Sequence, residues 1–239
     1  MTLSPEISLL LGTAATIGLI HTVTGPDHYL PFIVLSKARH WSTPKTMWIT
    51  FWCGIGHVAG SVVLGLIGIA LGVFVRKMEW IESIRGEVAA WMLIGFGLLY
   101  GIWGMKRAMQ KKSHTHEHAH ETGDEHLHTH THFGGHQHVH SKKDEKSLTP
   151  WILFLIFVFG PCEPLIPLLM VPAAKNSMPG LLAVTLVFAI TTILTMLVMV
   201  RITLLGVKFI HLKKAERFAH AIAGFTLVLS GLAIQFLGL

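Results

Sequence analysis

Charge is almost absent from six long stretches of this 239-residue chain. Between Glu6 and Lys37 the sole charged residue is Asp27, and between Lys45 and Arg76 there is none. The same holds from Glu87 to Lys106, from Lys175 to Arg201 and after Arg217, while the stretch from Lys146 to Lys175 contains only Glu163. A helix needs roughly 20 apolar residues to cross ~30 Å of hydrocarbon. The runs are continuous rather than alternating, which argues against barrel strands. Charged residues make up 13% of the chain, about half of the roughly 25% found in soluble domains. The expected fold class is therefore all-α: a polytopic membrane protein with six transmembrane helices, near 7–35, 47–75, 88–105, 149–174, 180–200 and 218–238. Residues 1–6 lack the basic region of a cleavable signal. Cys53 and Cys162 both lie inside apolar runs, which excludes an extracellular disulfide framework.

The net charge of +6 reflects basic residues flanking the spans rather than an affinity for nucleic acid. With six spans, one side carries fifteen lysines and arginines and the other only Arg76, Lys77, Arg85 and Lys175. That bias predicts both termini outside and the long 106–147 connection in the cytoplasm, with the chain in the cytoplasmic (inner) membrane. The second run is dense in glycine, and Gly56 and Gly60 form a small-xxx-small step that allows close helix approach.

Runs one and four are each interrupted by Gly-Pro, at Gly25-Pro26 and Gly160-Pro161. The third and sixth runs share a glycine-framed pattern, Gly95 to Gly101 beside Gly224 to Gly231. Two three-span halves in tandem must face opposite ways. The expected organisation is one repeat over 1–105, a His-rich, largely disordered connection over 106–147, and a second, inverted repeat over 148–239. Broken helices one and four then mark the central site.

Ionisable residues inside apolar runs are costly and so are functional candidates. Here they are His21, Asp27, His28, His57 and Glu163, with Cys162 beside them. Imidazole, carboxylate and thiol are the ligands of transition metals; magnesium and calcium prefer oxygen. In a straight helix His21 and His28 would stand ~10 Å apart along the axis, too far for one ion at ~2 Å bonds. The break at Gly25-Pro26 removes that obstacle. The competing roles are a hydrogen bond between helices for His57, packing for Cys162 and a proton relay for Asp27 and His28.

The 106–147 segment holds 11 of the 17 histidines: His114, His116, His118, His120, His126, His128, His130, His132, His136, His138 and His140. Interleaved with acidic residues, they suit metal capture; a pH-responsive linker is the other reading.

The stretch from His21 through Gly25, Pro26, Asp27 and His28 to Phe32, with Trp52 to Gly60 around His57, resembles the signature of the nickel/cobalt transporter superfamily. It is most similar to the six-span urease-accessory-like and nickel/cobalt-efflux branch. Five residues rather than four separate His21 from Asp27, a departure from the permeases proper. The resemblance implies a secondary transporter of Ni2+ or Co2+, with Zn2+ or copper as further candidates and His21, Asp27, His28 and His57 handling the ion. Cys162 and Glu163 would complete the site. The expected partners are the metal ion, membrane lipid, a second copy of the chain and a metallochaperone. No prosthetic group and no enzymatic reaction are expected, and no nucleotide-binding motif is present. The alternatives are a non-transporting metal sensor, or a transmembrane thiol–disulfide electron carrier suggested by the Pro161-Cys162 break. The carrier needs a second thiol, and Asp27 stands at the matching position of the first break.

Overall fold

In the computed structural model the described residues are 5–72, 75–110, 114–119, 125–130, 148–175, 177–207 and 217–237. The first run forms α1 (Pro5–Thr24), one 3-10 turn at Pro26–His28 and α2 (Leu30–Ala38). Next come α3 (Thr43–Ala70) and α4 (Val75–Met109). Within the histidine-rich connection, β1 (His114–Ala119) and β2 (Glu125–His130) pair antiparallel, with His114 opposite His130, His116 opposite His128 and His118 opposite His126. His120, His132, His136, His138 and His140 lie outside the described residues. The second half contains α5 (Thr149–Phe159), α6 (Leu165–Ala174), α7 (Met178–Val207) and α8 (Ala219–Leu237).

Five of these helices, α1, α3, α4, α7 and α8, are long and apolar enough to cross a membrane. The fourth run, expected to break at Gly160-Pro161, is two short apolar helices that flank that step, α5 with 11 residues and α6 with 10. Each is about 15 Å long at ~1.5 Å per residue, roughly half of the hydrocarbon thickness. The third crossing is longer than the expected 88–105, because α4 begins well before the last charged residues and carries Glu82 and Arg85 inside its helical body.

The outward surface is what lipid requires. On α7, Leu182, Leu186, Ile190, Leu194, Val198 and Ile202 recur every fourth residue and are all exposed. That is one helical face of large apolar side chains, an exposed area beyond what water-soluble monomers tolerate. The opposite face buries Val184, Phe188, Thr192, Met196 and Val200.

Several helix contacts cross between the first and second halves of the chain. α1 packs on α7 as α5 packs on α3, and α2 meets α8 as α6 meets α4. α3 also packs on α7 and α4 on α8, and smaller contacts join α3 to α6, α4 to α5 and α2 to α7. The α4–α8 pair is closest: a Cβ on Gly97 would lie 2.8 Å from the Gly224 carbonyl oxygen, so the backbones touch without side chains between them. The interior divides into two apolar clusters. One contains Phe32, Leu35, Cys53, Leu153 and Phe157. The other contains Ala14, Val58, Cys162, Leu165 and Phe188. The polar site lies where α1, α3 and the two breaks meet.

Candidate metal and thiol centre

Both breaks follow from proline chemistry. A residue before proline is pushed out of the α region, and proline has no N–H to continue the helical ladder. Gly25 accordingly sits at φ −86°, ψ 96° and Gly160 at φ −59°, ψ 133°, both extended. After the first break the chain makes one tight turn, with the His28 N–H donating to the Gly25 carbonyl at 3.1 Å. After the second, the Leu165 N–H donates to the Cys162 carbonyl at 2.9 Å.

The first turn carries His28 into the interior, where it is 2% exposed. Its Nδ1 lies 3.0 Å from the Gly25 carbonyl oxygen and 3.2 Å from Asp27 Oδ1. The Gly25 carbonyl can only accept, which puts a proton on Nδ1 and leaves Nε2 as a lone-pair donor in the neutral ring. That Nε2 faces His57 Nε2 at 3.2 Å. Two nitrogens bound to one ion at ~2.0–2.1 Å with tetrahedral geometry stand about 3.4 Å apart, so this spacing is one that a shared cation would use. His57, 2% exposed on α3, is stacked on His21, with centroids 6.3 Å apart and planes 12° apart.

The second break delivers Cys162, fully buried, with Sγ 4.0 Å from His21 Nε2. Ligand atoms of His21, His57 and Cys162 all lie within 4.8 Å of one another. Nitrogen and thiolate ligands on one tetrahedral ion are ~3.6 Å apart at bond lengths of ~2.0 and ~2.3 Å. The three converge from α1, α3 and the second break, and beside them His28 Nε2 lies 3.2 Å from His57 Nε2. Beside them a cavity of about 20 Å³ is lined by Asp27 and His57, the Gly160-Pro161 step and otherwise apolar side chains, Ala89, Leu93, Ile156, Phe157 and Ile234. That is room for one water- or ion-sized occupant.

Of the six intramembrane metal candidates, the structure brings His21, His28, His57 and Cys162 together and sets Asp27 behind His28. Glu163 is not brought in. It is exposed and lines a separate outer cavity with Glu79, Trp80, Ser83 and Pro164.

One functional pair is invisible to sequence reasoning. Arg85 looks like a topology-setting charge outside the membrane, yet it reaches into the second break. Its Nη2 donates to the Gly160 carbonyl at 2.8 Å, with the Val158 carbonyl at 3.4 Å and the Ser61 hydroxyl at 3.2 Å. Its Nη1 meets Glu82 Oε2 at 2.6 Å, where the carboxylate is fully buried. The missing proline N–H leaves carbonyls in need of donors, and one guanidinium supplies several at once. The available signal is the i,i+3 spacing of Glu82 and Arg85, which lets opposite charges neutralise each other on one helix face.

Fold and site together define an integral, helical membrane protein with a buried imidazole–thiol centre between two helix breaks. The family model described as the cytochrome c biogenesis protein transmembrane region matches residues 30–233, and the chain belongs to that family. This corrects the resemblance to the nickel/cobalt transporter superfamily, which rested on two short motifs, whereas the family match runs from α2 into α8. Cys53, His57 and Cys162 fall inside the matched region, while His21, Asp27 and His28 precede it. No curated protein and no solved structure matches the chain.

Proposed function

We propose that this chain is a membrane carrier whose central centre binds a soft transition-metal ion through His21, His28, His57 and Cys162. The observation that supports it is the convergence of the ligand atoms of His21, His57 and Cys162 within 4.8 Å, deep between helices. With the superfamily resemblance withdrawn, the metal reading stands on this geometry alone. A thiol and imidazoles suit Zn2+ and copper. The two halves would form an inverted pair that exposes the centre alternately to the two sides. The histidine-rich connection would capture ions at one side.

A second reading has its own support. The family match favours a thiol–disulfide electron carrier more directly than it favours metal carriage, and Cys162 sits at a proline-flanked break facing the interior. A disulfide needs two thiols. Cys53 is also buried, but in the other apolar cluster, and both cysteines are free. In this reading the Cys162 thiolate would attack a disulfide of a partner protein, forming a mixed disulfide and releasing the partner's second sulfur as a thiolate.

Proteoliposomes separate the two. The metal reading expects flux of Zn2+ or copper that Cys162→Ser and His57→Ala each abolish and Cys53→Ser leaves unchanged. The absence of flux and of binding in folded protein would overturn it. Transfer of reducing equivalents across the membrane, lost in Cys162→Ser and retained in His57→Ala, would establish the thiol carrier instead.

A further inference from the structure

Strand alternation and register together decide what the histidines of β1 and β2 can do. β1 carries His114, His116 and His118, and β2 carries His126, His128 and His130. Residues two apart in a strand share one face of the sheet. The register sets His114 opposite His130, His116 opposite His128 and His118 opposite His126. All six therefore fall on one face, as three cross-strand pairs in a row. The other face receives Thr115 with Thr129, Glu117 with Leu127 and Ala119 with Glu125. A slip of one residue would put the two sets of histidines on opposite faces. The row is thus a property of this register and not of histidine density alone.

The spacing of the row suits a shared ion. Facing residues of an antiparallel pair have Cα atoms about 4.5–5.5 Å apart. Successive pairs on one face are about 6.8 Å apart, twice the rise per residue. Two histidines four apart on a helix, about 6 Å along its axis, hold one zinc between them. Both spacings of the row lie near that value, so the four histidines of two adjacent pairs can make one four-coordinate set. The first and third pairs stand about 13.6 Å apart, too far to share an ion at bonds of ~2.0–2.1 Å.

The strand pairing also needs a source of stability. A two-stranded hairpin in water is marginal without an apolar face, and β1 and β2 contain only Ala119 and Leu127 as apolar residues. An ion held across the strands would supply that stability, because its binding free energy is folding free energy.

We propose that the histidine face of the β1–β2 hairpin is a register-defined site for one divalent ion that favours imidazole, such as Zn2+. Its ligands are two adjacent cross-strand pairs, and His116 with His128 belongs to either choice of two. This deepens the capture role given above to the connection and rests on it, but not on what the central centre carries.

The test is hydrogen–deuterium exchange of the full-length protein in detergent, read by mass spectrometry on peptides from β1 and β2 as Zn2+ is added. His120, His132, His136, His138 and His140 are replaced by Gln, so that the six paired histidines act alone. Zn2+ should protect the strand amides. His116→Gln/His128→Gln removes the pair common to both sets and should raise the Zn2+ midpoint at least about a hundredfold, since even outer-shell partners of ligands are worth about 10–100-fold. His114→Gln/His130→Gln removes as many imidazoles but leaves one of the two sets, so the midpoint should rise only about twofold. Equal losses in the two variants, or the larger loss at the end pair, would mean that density and not register captures the ion, and would overturn the site. So would the absence of Zn2+-dependent protection in β1 and β2. Protection here without flux in proteoliposomes leaves this site standing and removes the central carrier.

Discussion

At Gly25-Pro26 and at Gly160-Pro161 an extended glycine precedes a proline, and the helix stops for the same steric reason. Beyond that step the two breaks differ. The first draws on its own side chains: the His28 side chain turns back on the Gly25 carbonyl, and Asp27 stands beside the same ring nitrogen. The second brings a thiol and leaves its carbonyls to Arg85, borrowed from α4. One break therefore builds donor geometry from its own side chains, and the other depends on a buried ion pair on a different helix. The same Gly-Pro step has been furnished in two ways, with imidazole on one side of the centre and sulfur on the other.

The largest expected effect tests that dependence. Arg85→Met leaves the fully buried Glu82 carboxylate without its partner and the Gly160 carbonyl without its donor. Breaking a buried pair costs about 3–5 kcal/mol, to be read as a large fall in the unfolding midpoint in detergent. Arg85→Met/Glu82→Leu should recover much of it, because an apolar pair avoids the stranded charge. A harmless Arg85→Met would mean that the second break does not depend on α4.

Gly25→Ala comes next. A Cβ there would lie 2.5 Å from His28 Nδ1 and 2.9 Å from Asp27 Oδ1. The imidazole must swing away, losing its bond to the Gly25 carbonyl and its approach to His57. Overpacking of this kind costs about 1–3 kcal/mol, and metal binding should weaken along with thermal stability. Unchanged Zn2+ binding by calorimetry would show that His28 is not part of the donor set.

Asp27→Asn probes the first break at finer grain. Asp27 lies behind the ring, on the Nδ1 side, while Nε2 faces the centre. Loss of such an orienting carboxylate lowers metal affinity about 10–100-fold. Calorimetric titration with Zn2+ would check this. A loss well beyond that range would place Asp27 among the ligands themselves.

The parts legible in the sequence are those where lipid makes a residue conspicuous. His21, Asp27, His28, His57 and Cys162 stand out because polar side chains are rare in apolar runs, and Gly-Pro shows where a helix must stop. Arg85 and Glu82 are not legible, since charges near a span end look interfacial until a carbonyl is seen to need a donor. Hydropathy by itself merges the short α5 and α6 into one run, and the Gly160-Pro161 step is what shows the break between them. Adjacency groups Glu163 with Cys162. Successive residues in an irregular turn need not face the same way, and here one is buried while the other is exposed. Family membership is obscured by the short histidine motif, most of which precedes the matched region.

Gly160→Ala should have the smallest effect and gives the sharpest contrast with Gly25→Ala. Its Cβ would stand 3.0 Å from His57 Nδ1 and 3.2 Å from the Phe157 carbonyl, tight contacts that a shift of a few tenths of an ångström relieves. Gly160 has φ −59°, a conformation open to alanine, and the stiffer unfolded chain returns about 0.4–1 kcal/mol. The two contributions nearly cancel, so the midpoint should move by no more than about 1 kcal/mol equivalent, with Zn2+ affinity little changed. If Gly160→Ala were as damaging as Gly25→Ala, His57 would be held as tightly by the second break as His28 is by the first. The division of labour between the breaks would then be one of chemistry alone, not of rigidity.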